Sequence, residues 1–151
     1  MNNQYSVDAN IFITAWNVHY PPHVFISLWE QIAQFQQNIF LIKPIFDEID
    51  PISSADKKLS KEKKHEKYPL KMWMADNGFV ATPVSDSVND ASLNLEMEYE
   101  TNNNPKGANQ NDITLVAYAK LENKKVMALL DAPFNSVSGF KVCSFGPCRG
   151  R

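Results

Sequence analysis

The sequence predicts an α/β fold, a three-layer sandwich whose short, mostly parallel central sheet is flanked by helices. Short apolar runs alternate with helix-period segments, the signature of strand–helix–strand units. The strand candidates are continuously apolar instead of cleanly two-faced, as expected of a sheet covered on both sides. The chain has 151 residues, 44% of them hydrophobic and 11% aromatic. That length suits one domain burying roughly two-thirds of its surface, and that composition excludes global disorder. Residues 1–151 therefore read as a single domain.

Taken in order, Gln4-Tyr5-Ser6-Val7 alternates polar and apolar residues and predicts a first strand ending at Asp8. Asp8 and Asn10 offer capping side chains for a helix through Ile11-Phe12-Ile13-Thr14-Ala15-Trp16. Pro21-Pro22 breaks it and opens the next, since proline is tolerated in a first helical turn. Over residues 23–37, Phe25, Leu28, Ile32 and Phe35 recur every three or four positions, one buried stripe of an amphipathic helix. Residues 39–42 predict a second strand buried on both faces, and 45–49 a brief helix after Pro44. From Lys57 to Lys71, Glu62 and Glu66 interleave with lysines at helical spacing. That helix continues through Leu70, Trp73 and Met74 and stops at Asn77-Gly78. Residues 79–84 predict a third strand. Residues 86–99 predict a helix with Val88, Ala91 and Leu95 on its face, and 101–111 a polar loop. Asp112 starts a last helix with Ile113, Val116, Ala117 and Leu121 inward, and 126–130 form a fourth strand ending at Asp131.

Lys plus Arg is 15 against 17 for Asp plus Glu, a net charge of −2. This excludes a chain that coats nucleic acid by bulk positive charge. No apolar run approaches the ~20 residues of a membrane span. Met1-Asn2-Asn3-Gln4 has neither the basic nor the apolar region of a signal peptide, so a soluble, cytoplasmic protein is expected. Cys143 and Cys148 cannot make a disulfide framework. A zinc site would need two further ligands, and His19, His23 and His65 lie far away in sequence, so free thiols are expected.

In open parallel sheets, ligands gather beyond the carboxyl ends of the strands. Asp8 follows strand one and Asp131 follows strand four; Glu48 lies on the short helix after strand two and Asp112 at a helix start. With parallel strands, these four carboxylates can meet at one rim. Carboxylates brought together raise one another's pKa, so such a cluster usually accompanies a cation. An all-oxygen donor set selects a hard ion, Mg²⁺ or Mn²⁺, as in phosphodiester-cleaving sites. Each acid also has a plainer structural role open to it. Asp112 serves as an N-cap worth about 1 kcal/mol, Asp8 and Asn10 as turn and cap, Glu48 as a solvated helix residue, and Asp131 as a turn before Ala132-Pro133. Spacing leaves both readings open.

Tyr5-Ser6-Val7-Asp8-Ala9-Asn10-Ile11-Phe12-Ile13 resembles the opening motif of PIN-domain nucleases, a strand running into an acid, a small polar residue and an apolar helix. More narrowly, the chain resembles an uncharacterised bacterial PIN-like family related to VapC-type toxins. It shares that family's Tyr-Pro element at Tyr20-Pro21 and its Phe-x-x-x-Trp helix at Phe25 to Trp29. The likeness continues through Ile42-Lys43-Pro44-Ile45-Phe46-Asp47-Glu48-Ile49 and Asn111-Asp112-Ile113-Thr114-Leu115-Val116-Ala117. Residues 132–151 end the chain unlike the family.

The resemblance implies a PIN-like fold and a metal-dependent endoribonuclease, the toxin of a type II toxin–antitoxin pair. Asp8, Glu48 and Asp112 would then be the catalytic, metal-binding acids, with Asp131 a fourth ligand and Asn10 a polar residue fixing the first acid or the attacking water. The implied cofactor is Mg²⁺ or Mn²⁺. The implied partners are an RNA substrate, an antitoxin protein and a second copy of the chain. The lysine stretch, foremost Lys57, Lys58, Lys61 and Lys64, is a candidate RNA-facing strip, with a solvated helix face as the alternative. Trp16, Trp29 and Trp73 sit at helical positions that assign them to packing instead of base stacking. Two other functions compete: a catalytically degenerate PIN-like module that binds RNA or protein, and a metal-dependent phosphatase on another α/β fold.

Overall fold

The computed structural model describes residues 3–101 and 109–128. Strand β1 (Tyr5–Val7) lies in the middle of a four-stranded sheet. It pairs in parallel with β2 (Ile39–Ile42), Tyr5 opposite Ile39 and Ser6 opposite Phe40. On its other side it pairs in parallel with β4 (Lys125–Met127), from Tyr5 opposite Lys125 to Val7 opposite Met127. The two-residue β3 (Ala81–Thr82) adds to the outer edge of β2, giving the order β3-β2-β1-β4. Ser6, Val7, Leu41, Ile42 and Val126 are all buried, which is the mark of a sheet covered on both faces. Because every pairing is parallel, all the carboxyl ends lie along one rim.

The helices alternate with these strands. Helix α1 (Ala9–Thr14) begins directly after β1 and unwinds into a π-helical turn over Ala15–His19, closed by the Tyr20 N–H donating to the Ala15 carbonyl at 2.7 Å. Then follow α2 (Ile26–Gln34), with a 3₁₀ turn at Gln36–Asn38, and α3 (Lys43–Glu48), with Pro44 in its first turn. A 3₁₀ turn at Ala55–Lys58 precedes α4 (Lys61–Lys67) and α5 (Pro69–Asp76). Helix α6 (Asp86–Thr101) packs extensively on α7 (Gln110–Leu121), where the buried Ser92 and Thr114 hydroxyls bond at 3.0 Å. Residues 113–119 of α7 are buried on every face, so this helix runs through the centre instead of along the surface.

An aromatic cluster fills the space behind β2. Trp29 is almost fully buried; its ring meets Trp16 and Trp73 edge-on, with centroids 4.9 and 5.1 Å away, and its indole N–H donates to the Tyr20 carbonyl at 2.6 Å. Phe12 and Phe79 meet edge-on at 5.8 Å in the same cluster. The three tryptophans therefore pack, as their helical positions predict.

Several boundaries differ from expectation, each for a local reason. The single lysine-rich helix is three pieces. Ser60 caps α4, its hydroxyl accepting from the Lys63 N–H, and Pro69 ends α4 at Tyr68, because the residue before a proline is pushed out of helical geometry. The helix expected over 23–37 spans only Ile26–Gln34, and the ends of its proposed stripe, Phe25 and Phe35, are 40% and 62% exposed. Trp29 is the residue that α2 buries most. In β2, Ile39 and Phe40 are half-buried, so only its second half is enclosed on both faces. The last helix starts at Gln110, two residues before Asp112, and its Leu121 is exposed. Strand three keeps two of six expected residues. Leu129, Leu130 and Asp131, the segment 132–151 with Cys143 and Cys148, and residues 102–108 of the predicted loop lie outside the described residues.

Candidate active site

Three of the acids gather at the carboxyl rim of the sheet. Asp8 stands where β1 passes into α1; its backbone is extended, and its N–H donates to the Met127 carbonyl of β4 at 2.9 Å. The side chain is only 2% exposed and makes no capping hydrogen bond. Its pKa is pushed up from 3.8 to about 6, first by burial and next by the negative charge of Asp112. Glu48 adds a weaker push in the same direction, while the N–H groups of Ala9 and Asn10 pull the other way. Asp112 and Glu48 thus lie within electrostatic reach of Asp8.

The other two acids are held by asparagines. Asn109 and Asp112 close a reciprocal capping box: the Asp112 N–H donates to Asn109 Oδ1 at 3.0 Å, and the Asn109 N–H donates to Asp112 Oδ2 at 3.0 Å. Asp112 is therefore the third residue of α7 and not its N-cap, which places its carboxylate against the first turn. Glu48 ends α3, and its Oε1 accepts from Asn111 Nδ2. Asn10 is exposed in the first turn of α1, beside Asp8 in the chain. Asp131 lies outside the described residues.

Among the described residues, no three His, Cys, Asp or Glu side chains are arranged as a ready metal-binding group. The donor chemistry nevertheless fits a hard cation. The three gathered groups are carboxylates, and the buried Asp8 bears an electrostatic penalty that a positive charge would remove.

The lysine strip divides in two. Lys61 pairs with Asp76 at 2.9 Å, and His65 joins them through Nε2 to Asp76 at 2.6 Å. Lys67 donates to Asp56 at 2.5 Å, and with the Tyr68 and Ser53 hydroxyls it holds that carboxyl down at about 2. Lys71 turns inward onto α3. Lys57, Lys58 and Lys64 enter no ion pair among the described residues, and the first two are exposed. Lys61, one of the four foremost in the expected strip, is thus engaged with its own fold.

Asn109 and Asn111 were hidden within a stretch whose composition reads as loop. The Asn-x-x-Asp spacing of a capping box is the signal that marks the first of them. Nothing in the sequence pairs Asn111 with Glu48.

The chain matches a family described as "Domain of unknown function (DUF4411)" over residues 5–141. No curated protein matches it. Among solved structures, it is similar to VapBC2 from Rickettsia felis bound to a DNA fragment from their promoter, with a TM-score of 0.63 and 17% identity over 94% of this chain and 98% of that one. It is also similar to DNA-bound VapBC from Salmonella typhimurium, with a TM-score of 0.67 and 13% identity over the same two shares, 94% and 98%. At such identities the likeness is one of fold, and that fold, helices around a parallel four-stranded sheet, is PIN-like, as in those VapBC structures.

Proposed function

From a chain that belongs to the DUF4411 family and has a PIN-like fold, we infer a metal-dependent endoribonuclease, the toxin of a type II toxin–antitoxin pair. The observation that carries this reading is the burial of Asp8 at the carboxyl end of the central strand, against the charges of Asp112 and Glu48. A penalised carboxylate in such a place is costly to stability, and a bound cation would relieve that cost. Asp8, Glu48 and Asp112 would hold Mg²⁺ or Mn²⁺, with Asp131 proposed as a fourth ligand. The chemistry expected of such an ion is acidification of an attacking water and neutralisation of charge building on the phosphoryl oxygens.

The chain's own residues set the stage for that chemistry. The capping box fixes the Asp112 carboxylate on α7, Asn111 orients Glu48, and the short turn from β1 into α1 fixes Asp8. Asn10, exposed in the first turn of α1 beside Asp8, would orient a water or a scissile phosphate. Lys57, Lys58 and Lys64 would attract the polyanion. The two VapBC structures the chain resembles are toxin–antitoxin assemblies, which supports an antitoxin as partner; a second copy of the chain is proposed as another. No helix among the described residues is long and apolar enough to cross a membrane.

The deciding experiment titrates Mn²⁺ into wild type and Asp8→Asn by calorimetry, with circular dichroism as the folding control and RNA cleavage as the activity. The folded variant is expected to lose both metal binding and cleavage. Full cleavage by the purified variant sinks the assignment. Salt-sensitive RNA binding that is equal in both proteins, with cleavage by neither, identifies a non-catalytic module instead.

A further inference from the structure

We propose that Lys71 is a positioning residue for Glu48, acting from outside the acidic rim through the backbone of α3. The Lys71 ammonium donates to the Phe46 carbonyl and, at 2.9 Å, to the Ile49 carbonyl, two carbonyls that bracket Glu48 in the chain. Its Nζ also lies 4.2 Å from the centroid of the Phe46 ring. Carbonyls at a helix C-terminus carry partial negative charge, so a cation seated there is favoured and orients them; the Phe46 carbonyl also accepts from the Ile49 N–H at 3.3 Å. The contact is reciprocal. Asp50, two residues past Glu48, accepts from the N–H groups of Leu70 and Lys71 at 2.9 and 3.3 Å, so a carboxylate from the end of α3 caps the start of α5. Asp50 holds a left-handed backbone, φ 39°, to do so, a conformation a non-glycine residue keeps only when its surroundings enforce it. Glu48 thus sits on a helix end clamped from both directions, and its side chain reaches Asn111 from there.

This clamp separates Lys71 from the other lysines of its stretch. Half-buried and committed to two carbonyls at the end of α3, it is a structural cation, not part of an RNA-facing strip. The functional side of the proposal rests on Glu48 being an acid of the site. The positioning side does not, because the Asn111 contact reports the place of Glu48 without any metal.

The test uses wild type, Lys71→Met, Lys71→Arg and Glu48→Gln, first metal-free. In ¹⁵N NMR spectra the Asn111 side-chain amide signals of Lys71→Met are expected to leave their wild-type position, as they do when Glu48→Gln alters the acceptor. Lys71→Arg, which can still reach both carbonyls, is expected to stay with wild type. Unmoved signals in a folded Lys71→Met overturn the proposal. Should the Met variant not fold, displaced signals in a folded Lys71→Arg overturn it and wild-type signals support it. Calorimetry then follows Mn²⁺. Lys71→Met should weaken binding roughly tenfold, as removal of a group supporting a metal ligand does, and should cost nothing further in the Glu48→Gln background. An equal loss in both backgrounds means general destabilisation and overturns the proposal. Equal Mn²⁺ affinity in wild type and Glu48→Gln removes Glu48 from the ligand set, a failure of the functional reading that leaves the Asn111 result to decide positioning.

Discussion

Asp8 is the residue at which stability and function pull apart. Its carboxyl is pushed from 3.8 to about 6 in the folded protein. Between those two values the folded state keeps a proton that the unfolded chain has released, so stability falls as pH rises through that window. Above it the whole penalty is present, about 3 kcal/mol for a shift of this size. Asp8→Asn is therefore expected to be more stable than wild type at neutral pH, by up to about 3 kcal/mol, with the gain fading below roughly pH 4. Urea unfolding of both proteins at acid and neutral pH checks the sign. Added Mn²⁺ should narrow the neutral-pH gap by stabilising wild type alone. Asp8 was legible from the sequence because an acid directly after an apolar strand has a forced location in a parallel sheet. Asn111 was not, since its role depends on meeting Glu48 across a chain separation that periodicity does not encode. Lys71 reads as one more lysine of a charged stretch because a long, flexible stem gives no sequence-level sign of which way its ammonium turns.

At the scale of elements, the junctions govern the site more than the interiors do. The cap that starts α7 also holds Asp112, so one small contact has two effects. Asn109→Ala should lower stability by about 1 kcal/mol in chemical denaturation, and it should also weaken Mn²⁺ binding. An Asn109→Ser variant, which can still cap, should recover most of both. The alternation of strands and helices was readable because short apolar runs and helical periodicity differ strongly. The ends were less so. Pro69 splits the lysine-rich helix, yet the charged run before it and the Leu70, Trp73 and Met74 face after it continue one helical pattern that masks the break. The stripe assigned to α2 failed at Phe25 and Phe35 because both fall outside the helix proper, where a helical period no longer says which way a side chain faces.

For the whole molecule, charge is organised although its net value is small. The acids stand at the carboxyl rim, and Lys57, Lys58 and Lys64, which enter no ion pair among the described residues, lie on and beside the short elements before α5. Reversing these three to glutamate should weaken RNA binding and lower the slope of log affinity against log salt by about 0.7 for each phosphate of a single strand that is no longer neutralised. Lys61→Glu should act mainly on the α4–α5 contact through Asp76, with a smaller change in that slope. The sheet order has a further consequence, one of timing. Strand β1 is the first to leave the ribosome, yet it lies between β2 and β4, and the Asp8 N–H is tied to Met127. Until α7 and β4 have been made, the nascent chain lacks both Asp112 and the strand that anchors Asp8. Pairing the two ends of a chain is slow, because the loop must close before its contacts repay it. The acidic rim is thus completed only once α7 and β4 have been made, and a chain truncated before α7 lacks it.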